Sequence, residues 1–167
     1  ELPTNGGGDT EFASTAAAFD MLPEETQSRL ESLIAIHSIA WSREKFHKGA
    51  SSEDQRKRLP PVPQALVRTN PVTGRKSLHL ASHVMGIEGM EDREGRALHD
   101  DLLAMATHPS KVYRHQWSPH DAIIWDNRAI VHRATSYDET GDRRLMIRTT
   151  ISDFGPTVVD GAIVAAA

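Results

Sequence analysis

Between positions 144 and 151 the chain reads Arg-Leu-Met-Ile-Arg-Thr-Thr-Ile, an alternation of period two. Successive side chains of a β-strand point to opposite faces of the sheet. Leu145, Ile147 and Ile151 therefore share one apolar face, while Arg144, Met146 and Arg148 share the other. Two guanidinium groups on one strand face meet either solvent or an anion. A guanidinium fork matches a carboxylate in a bidentate way that an ammonium group cannot reproduce. Such a strand needs partners, and the residues just before it supply candidates. Residues 111–117, 122–125 and 129–134 read as strands, separated by turns at 118–121, 126–128 and 138–142. The pattern predicts an antiparallel β core with helices outside it.

The first two thirds of the chain are less uniform. Residues 4–9, Thr-Asn-Gly-Gly-Gly-Asp, predict a turn, because consecutive glycines favour positive φ. The alanine-rich residues 10–21 predict a helix. Pro23-Glu24-Glu25 opens a second one, with proline tolerated in the first turn and acids near the positive end of the dipole. Leu30, Leu33, Ile34 and His37 keep helical spacing beyond it. Residues 43–58 are charged and lead into Pro60-Pro61-Val62-Pro63, so residues 43–63 are expected to form a mobile surface loop or a lid over a site. Residues 65–69 and 76–81 read as strands around the turn Asn70-Pro71-Val72-Thr73-Gly74. Residues 91–107 read as a helix with Leu98, Leu102 and Met105 along one stripe.

Composition narrows the function classes. A length of 167 residues suits one domain with a real core. The formal net charge of -4 gives no footprint of general nucleic-acid binding. No apolar run is long enough to span a bilayer. The chain has no cysteine, which removes disulfides, thiolate catalysis and cysteine-type zinc sites, and fits a reducing cytoplasm. Glu1-Leu2-Pro3 reads like the middle of a protein, so a fragment is expected.

Nine histidines make metal chemistry the natural question. His132 sits in the middle of a strand candidate, just after a tight turn, where its ring can be fixed. Imidazole suits iron, zinc, copper and nickel alike. Taken alone, a strand histidine is more often a core or surface residue than a ligand. His99-Asp100-Asp101 has His-x-Asp spacing, but it lies in the predicted 91–107 helix, where residues two apart point in different directions. His83, His108, His115 and His120 have no ligand-spaced partner. A zinc hydrolase would need a motif such as His-Glu-x-x-His, which the chain does not contain. The glycine cluster ending in Asp9-Thr10 lacks the lysine of a phosphate-binding loop, leaving a plain turn or one that presents the Thr10 hydroxyl.

In chain order these features are Gly7-Gly8-Asp9-Thr10, Asn70-Pro71-Val72-Thr73-Gly74-Arg75-Lys76-Ser77-Leu78, Trp125-Asp126-Asn127-Arg128 with His132, and Arg144 with Arg148. The series resembles the taurine dioxygenase / 2,4-dichlorophenoxyacetate dioxygenase family from residue 1 to about residue 153. The stretch from Ala81-Ser82-His83 to Ile87-Glu88-Gly89-Met90 looks closer to the aryloxyalkanoate-degrading branch. The Trp-Asp-Asn-Arg…His…Arg…Arg series carries the resemblance; the glycine turn alone is not specific.

The resemblance implies a mainly β chain with flanking helices, the C-terminal part of a double-stranded β-helix (jelly-roll) occupying residues 1–167. It implies an Fe(II)- and 2-oxoglutarate-dependent dioxygenase that hydroxylates a small anionic substrate with O2. The substrate would be an aryloxyalkanoate, sulfonate or alkyl sulfate, and succinate and CO2 would be released. By the same resemblance His132 would bind iron, Thr10 and Arg144 would hold 2-oxoglutarate, and Arg148 would contact the prime substrate. No nucleic-acid or membrane partner is expected, and a homo-oligomer is left open.

Two departures qualify the match. The family's His-x-Asp ligand pair precedes its glycine turn, and no such pair precedes the turn here. The turn at 138–142 is one residue longer than in taurine dioxygenase, so the arginines are placed by the Arg-x-x-x-Arg pattern. Arg143 is the weaker alternative to Arg144, because it would face away from Arg148. A jelly-roll binding protein without a complete iron site is the competing reading. His-x-Asp shortly upstream of Glu1 would favour the oxygenase.

Overall fold

A computed structural model describes residues 1–151 and 155–164, so residues 152–154 and 165–167 of the expected domain lie outside the described residues. In chain order its elements are β1 (Thr10–Ser14), α1 (Thr15–Asp20), α2 (Glu24–Glu31), β2 (Ile34–His37), α3 (Ile39–Phe46) and α4 (Glu53–Arg58). There follow β3 (Val62–Ala65), β4 (Val67–Thr69), β5 (Lys76–Leu78), β6 (Val84–Ile87) and α5 (Asp92–Ala106). The last are β7 (Val112–His115), β8 (Ile130–Ala134), β9 (Val158–Val159) and β10 (Ala162–Ile163). Among the described residues no helix is long and apolar enough to cross a membrane.

Two antiparallel three-stranded sheets, in the orders β7-β1-β8 and β3-β2-β6, organise the chain, with hairpins β4-β5 and β9-β10 beside them. The core lies between strands and helices. Phe19 of α1, Leu30 of α2, Ala35 of β2, Leu78 of β5, Val84 and Ile87 of β6, and Leu102 and Ala106 of α5 form one buried cluster. The α5 helix comes close enough to β6 to need Gly95 in its interior. A Cβ there would sit 2.8 Å from the Ile87 amide nitrogen. Glycine inside a helix costs about 1 kcal/mol relative to alanine, and close apposition to the strand offsets that cost.

Several expectations change at this level. Residues 10–14 form β1, not the start of a helix, because β7 and β8 pair with both edges of the segment. The Ser14 side chain then accepts a hydrogen bond from the Ala17 amide at 3.1 Å and starts α1. The α2 helix stops at Glu31. Ile34 to His37 becomes the central strand of its sheet despite helical spacing with Leu30. Pairing on both edges outweighs the spacing, and β-branched Ile34 and Ile36 suit a strand.

The 43–63 segment is not a featureless loop. It contains the end of α3, all of α4 with a capping box between Ser52 and Gln55, and the start of β3. Pro63 is tolerated because β3 is an edge strand. A strand the sequence did not suggest, β6, follows β5. Residues 122–125 and 144–151 carry no ladder among the described residues.

Candidate functional site

The β7-β1-β8 sheet carries the site, and its register decides which side chains meet. Thr10 pairs with His115 on one side and Ala134 on the other, and Phe12 pairs with Tyr113 and His132. Directly opposed residues of antiparallel strands share a face. Thr10, Phe12, Tyr113, His115 and His132 therefore line one face. Ring contacts agree with the register: His132 lies 6.2 Å from Phe12 and 5.1 Å from Trp125, centroid to centroid.

The Trp125–Arg128 turn delivers His132 to that position. The Asp126 carboxylate accepts from the Arg128 amide and guanidinium at 2.9 Å each, and the Trp125 indole donates to Asn127 Oδ1 at 2.7 Å. These bonds hold the Asp126 carboxyl below its usual range, the Arg128 side chain contributing most. The His132 imidazole is also held low, first by partial desolvation and then by the positive charge of Arg148. Neutral imidazole is the form that can ligate a metal.

Arg144 reaches the same face from the C-terminal segment. Its Nε donates to the Gly8 carbonyl at 2.7 Å and its Nη2 to Thr10 Oγ1 at 3.4 Å. The glycine turn makes this approach possible. Gly8 has φ +67°, and a Cβ on it would lie 2.9 Å from Arg144 Cδ. Gly7 has φ +81°, and a Cβ there would collide with the Ser136 carbonyl. Such backbone is open mainly to glycine. The same turn is tied down by Thr4 and Asn5, whose amides donate to the Asp142 carboxylate at 3.0 Å each.

Strand parity thus resolves the arginines. Arg144 and Met146 are half-buried, whereas Leu145 and Ile147 are exposed, Ile147 at 98%. Arg144 and Met146 thus turn toward the chain while Leu145 and Ile147 are bare, but the inward face does not extend to Arg148. Arg143 points away, 3.7 Å from the Glu1 carboxylate. Arg148 is exposed, with its charge felt at His132. The rejected His99 is buried on α5 beside exposed Asp100.

Sequence reasoning missed the aromatic surround that Phe12, Tyr113 and Trp117 form with Trp125, and set His115 aside for want of a ligand-spaced partner. The Trp117 indole donates to Thr10 Oγ1 at 3.0 Å. Its ring stands edge-on to His115 at 4.6 Å, and His115 Nε2 lies 3.0 Å from Asp121 Oδ2. The alternation of Tyr113, His115 and Trp117 was a usable signal, but the register that sets it against Thr10 is not written in either segment.

These features define a class: a β-sheet domain that gathers the His132 and His115 imidazoles, the Thr10 hydroxyl and the Arg144 guanidinium at one sheet face. Comparison with known proteins gives the family. Residues 1–150 match the family described as taurine catabolism dioxygenase TauD, TfdA family, and the chain belongs to it. It is 44% identical over 147 residues to the alpha-ketoglutarate-dependent 2,4-dichlorophenoxyacetate dioxygenase of Cupriavidus pinatubonensis, covering 88% of this chain and 51% of that protein. It is 39% identical over 158 residues to the (S)-phenoxypropionate/alpha-ketoglutarate-dioxygenase of Sphingobium herbicidovorans, covering 91% and 55%. The crystal structure of AAD-2 in complex with Mn(II) and N-oxalylglycine superposes with a TM-score of 0.86 at 43% identity, covering 92% of this chain and 60% of that one. The aryloxyalkanoate branch and the jelly-roll fold expected from the resemblance both stand. The chain spans about half the length of the curated relatives it matches.

Proposed function

We propose that this chain is the cosubstrate-anchoring part of an Fe(II)- and 2-oxoglutarate-dependent dioxygenase acting on a small anionic organic substrate. The observation that carries the reading is the convergence of Thr10, Arg144 and His132 on one sheet face. An ionised carboxylate accepts hydrogen bonds only, and the Arg144 guanidinium beside the Thr10 hydroxyl is a matching donor set. Arg144 and Thr10 bind the distal carboxylate of 2-oxoglutarate, and Arg148 binds the anionic group of the substrate. The named relatives act on 2,4-dichlorophenoxyacetate and (S)-phenoxypropionate, and a more distant one, at 32% identity, is a sulfate ester dioxygenase. Aryloxyalkanoates are the first class to test, with sulfonates and alkyl sulfates after them.

The described residues do not fit a complete iron site. None of their His, Cys, Asp and Glu side chains form a group of three that could hold a metal. His132 supplies one imidazole, and the missing ligands are assigned to a His-x-Asp pair upstream. The Glu1 ammonium donates to the Leu145 carbonyl at 3.1 Å, and the Leu145 amide donates to the Glu1 carbonyl at 2.9 Å, which ties the start of the chain to the Arg144 segment.

The overall reaction balances as substrate C–H, O2 and 2-oxoglutarate giving substrate C–OH, succinate and CO2. One oxygen atom enters each organic product. This chain's residues anchor the two anions and keep the imidazole neutral; the oxidation belongs to the cofactor chemistry. The test is direct. The oxygenase containing this chain, supplied with Fe(II), 2-oxoglutarate and a panel of the three substrate classes, is expected to release succinate only when a panel member is present. Absence of succinate with every member, under conditions where a relative turns over, supports the non-catalytic binding protein instead.

A further inference from the structure

The Thr10 hydroxyl has one proton and two lone pairs, and both hydrogen bonds that reach it come from groups that only donate. The Trp117 indole N–H approaches at 3.0 Å and Arg144 Nη2 at 3.4 Å. An indole nitrogen has no lone pair to offer, and neither has a guanidinium. With both lone pairs engaged, the hydroxyl proton is left to point away from Trp117 and Arg144, toward whatever occupies the site. We propose that Trp117 is a positioning residue that fixes Thr10 as a hydrogen-bond donor to the distal carboxylate of 2-oxoglutarate. The inference rests on the reading of Thr10 and Arg144 as the carboxylate anchor and adds the residue that sets the anchor's polarity.

The indole is itself held in place. His115 lies edge-on to it with an interplanar angle of 82°, and His115 Nε2 faces the Asp121 carboxylate. Asp121 also accepts from the Ser118 amide at 2.9 Å, which closes the turn after Trp117. The Asp121 carboxylate only accepts, so its contact with His115 calls for a proton on Nε2, and Tyr113 Oη lies 3.3 Å from Nδ1 as a hydroxyl able to donate to it. The line from Asp121 through His115 to Trp117 fixes the direction of one hydroxyl proton on a neighbouring strand. Preorganised donors of this kind need no rearrangement when the ligand arrives.

The experiment measures equilibrium affinity for 2-oxoglutarate by calorimetry, without O2, in the oxygenase containing this chain. Trp117→Phe is expected to weaken 2-oxoglutarate about two- to tenfold, the loss of one neutral hydrogen bond. Pyruvate, a 2-oxo acid without the distal carboxylate, should bind the variant and the parent equally. In a Thr10→Val background, Trp117→Phe should change 2-oxoglutarate affinity less than twofold, since the group it orients is gone. Should Trp117→Phe not fold, benzothienylalanine at position 117 replaces the N–H by sulfur at nearly constant shape. The same carboxylate-specific loss is expected of it. Unchanged 2-oxoglutarate affinity, or an equal loss for pyruvate or in the Thr10→Val background, overturns the proposal and leaves Trp117 a packing residue. Arg144→Ala separates the two readings. If it weakens 2-oxoglutarate while Trp117→Phe does not, only this inference fails; if it has no effect, the anchor itself is wrongly assigned.

Discussion

Arg144 and Arg148 lie two strand repeats apart, and their surroundings differ. Arg144 is committed through Nε to the Gly8 carbonyl, with its Nη2 at Thr10. Arg148 is exposed, and its positive charge acts on the His132 imidazole. Hydrogen bonds to charged groups are worth about 1.5–3 kcal/mol. Arg144→Ala should therefore raise KM for 2-oxoglutarate roughly ten- to hundredfold with little effect on the prime substrate. Arg148→Ala should do the reverse. Steady-state kinetics with each substrate varied in turn checks this, and equal effects of both variants on both substrates would end the division of labour. Here the sequence was informative, because parity alone separates Arg144 and Arg148 from Arg143. It was silent on Trp117 and Phe12, whose roles depend on which strand lies beside them.

Elements show the same split between local and distant causes. The α5 helix and strands β7 and β8 form within two residues of where periodicity put them, since each carries its own pattern. For β1 and β2 the local signal pointed to helix, and pairing on both edges decided otherwise. That sheet and the adjoining β5 end also bring His37 and His79 into a stack 4.6 Å apart, a contact no spacing rule foretells. Burial pushes His37 down to about 4 and His79 down to about 3, with Arg68 the next cause for both. Positive charge from His83 and His99 adds to the effect on His37, and His37 itself acts on His79. The folded state thus refuses protons that the unfolded chain accepts at a histidine pKa near 6.5. The stability these two rings permit is complete above pH 6.5 and is lost as pH falls toward 4 and then 3. Ordinary carboxylates titrate mostly below about pH 4.5, so the upper part of the window belongs to histidines. The melting temperature should fall between about pH 6.5 and 4.5. His79→Phe, which keeps the stack without a titrating group, should flatten that fall; identical slopes in both proteins count against the idea.

Taken as a whole, the molecule is finished on one side and bare on another. Leu30, Leu66 and Leu78 are almost completely buried, yet Ile124, Ile147 and Ile151 are 99%, 98% and 93% exposed. Scattered surface apolar residues need no explanation. Ile147 and Ile151 are different, because they share parity with Leu145, opposite the half-buried Arg144 and Met146. Among the described residues the segment carries no ladder, and its Leu145 backbone is tied to Glu1. We propose that in the whole jelly-roll this face is an interior surface. That makes the cost of a truncation at Ile147 a measure of the whole arrangement. Ile→Ala at a buried site costs about 2–5 kcal/mol, whereas exposed substitutions stay within about 0.5 kcal/mol. Ile147→Ala in the oxygenase containing this chain is therefore expected to lower denaturant stability by an amount typical of a core site, and Val72→Ala, at the exposed turn between β4 and β5, to leave it nearly unchanged. If the two substitutions behave alike, the face is a true outer surface.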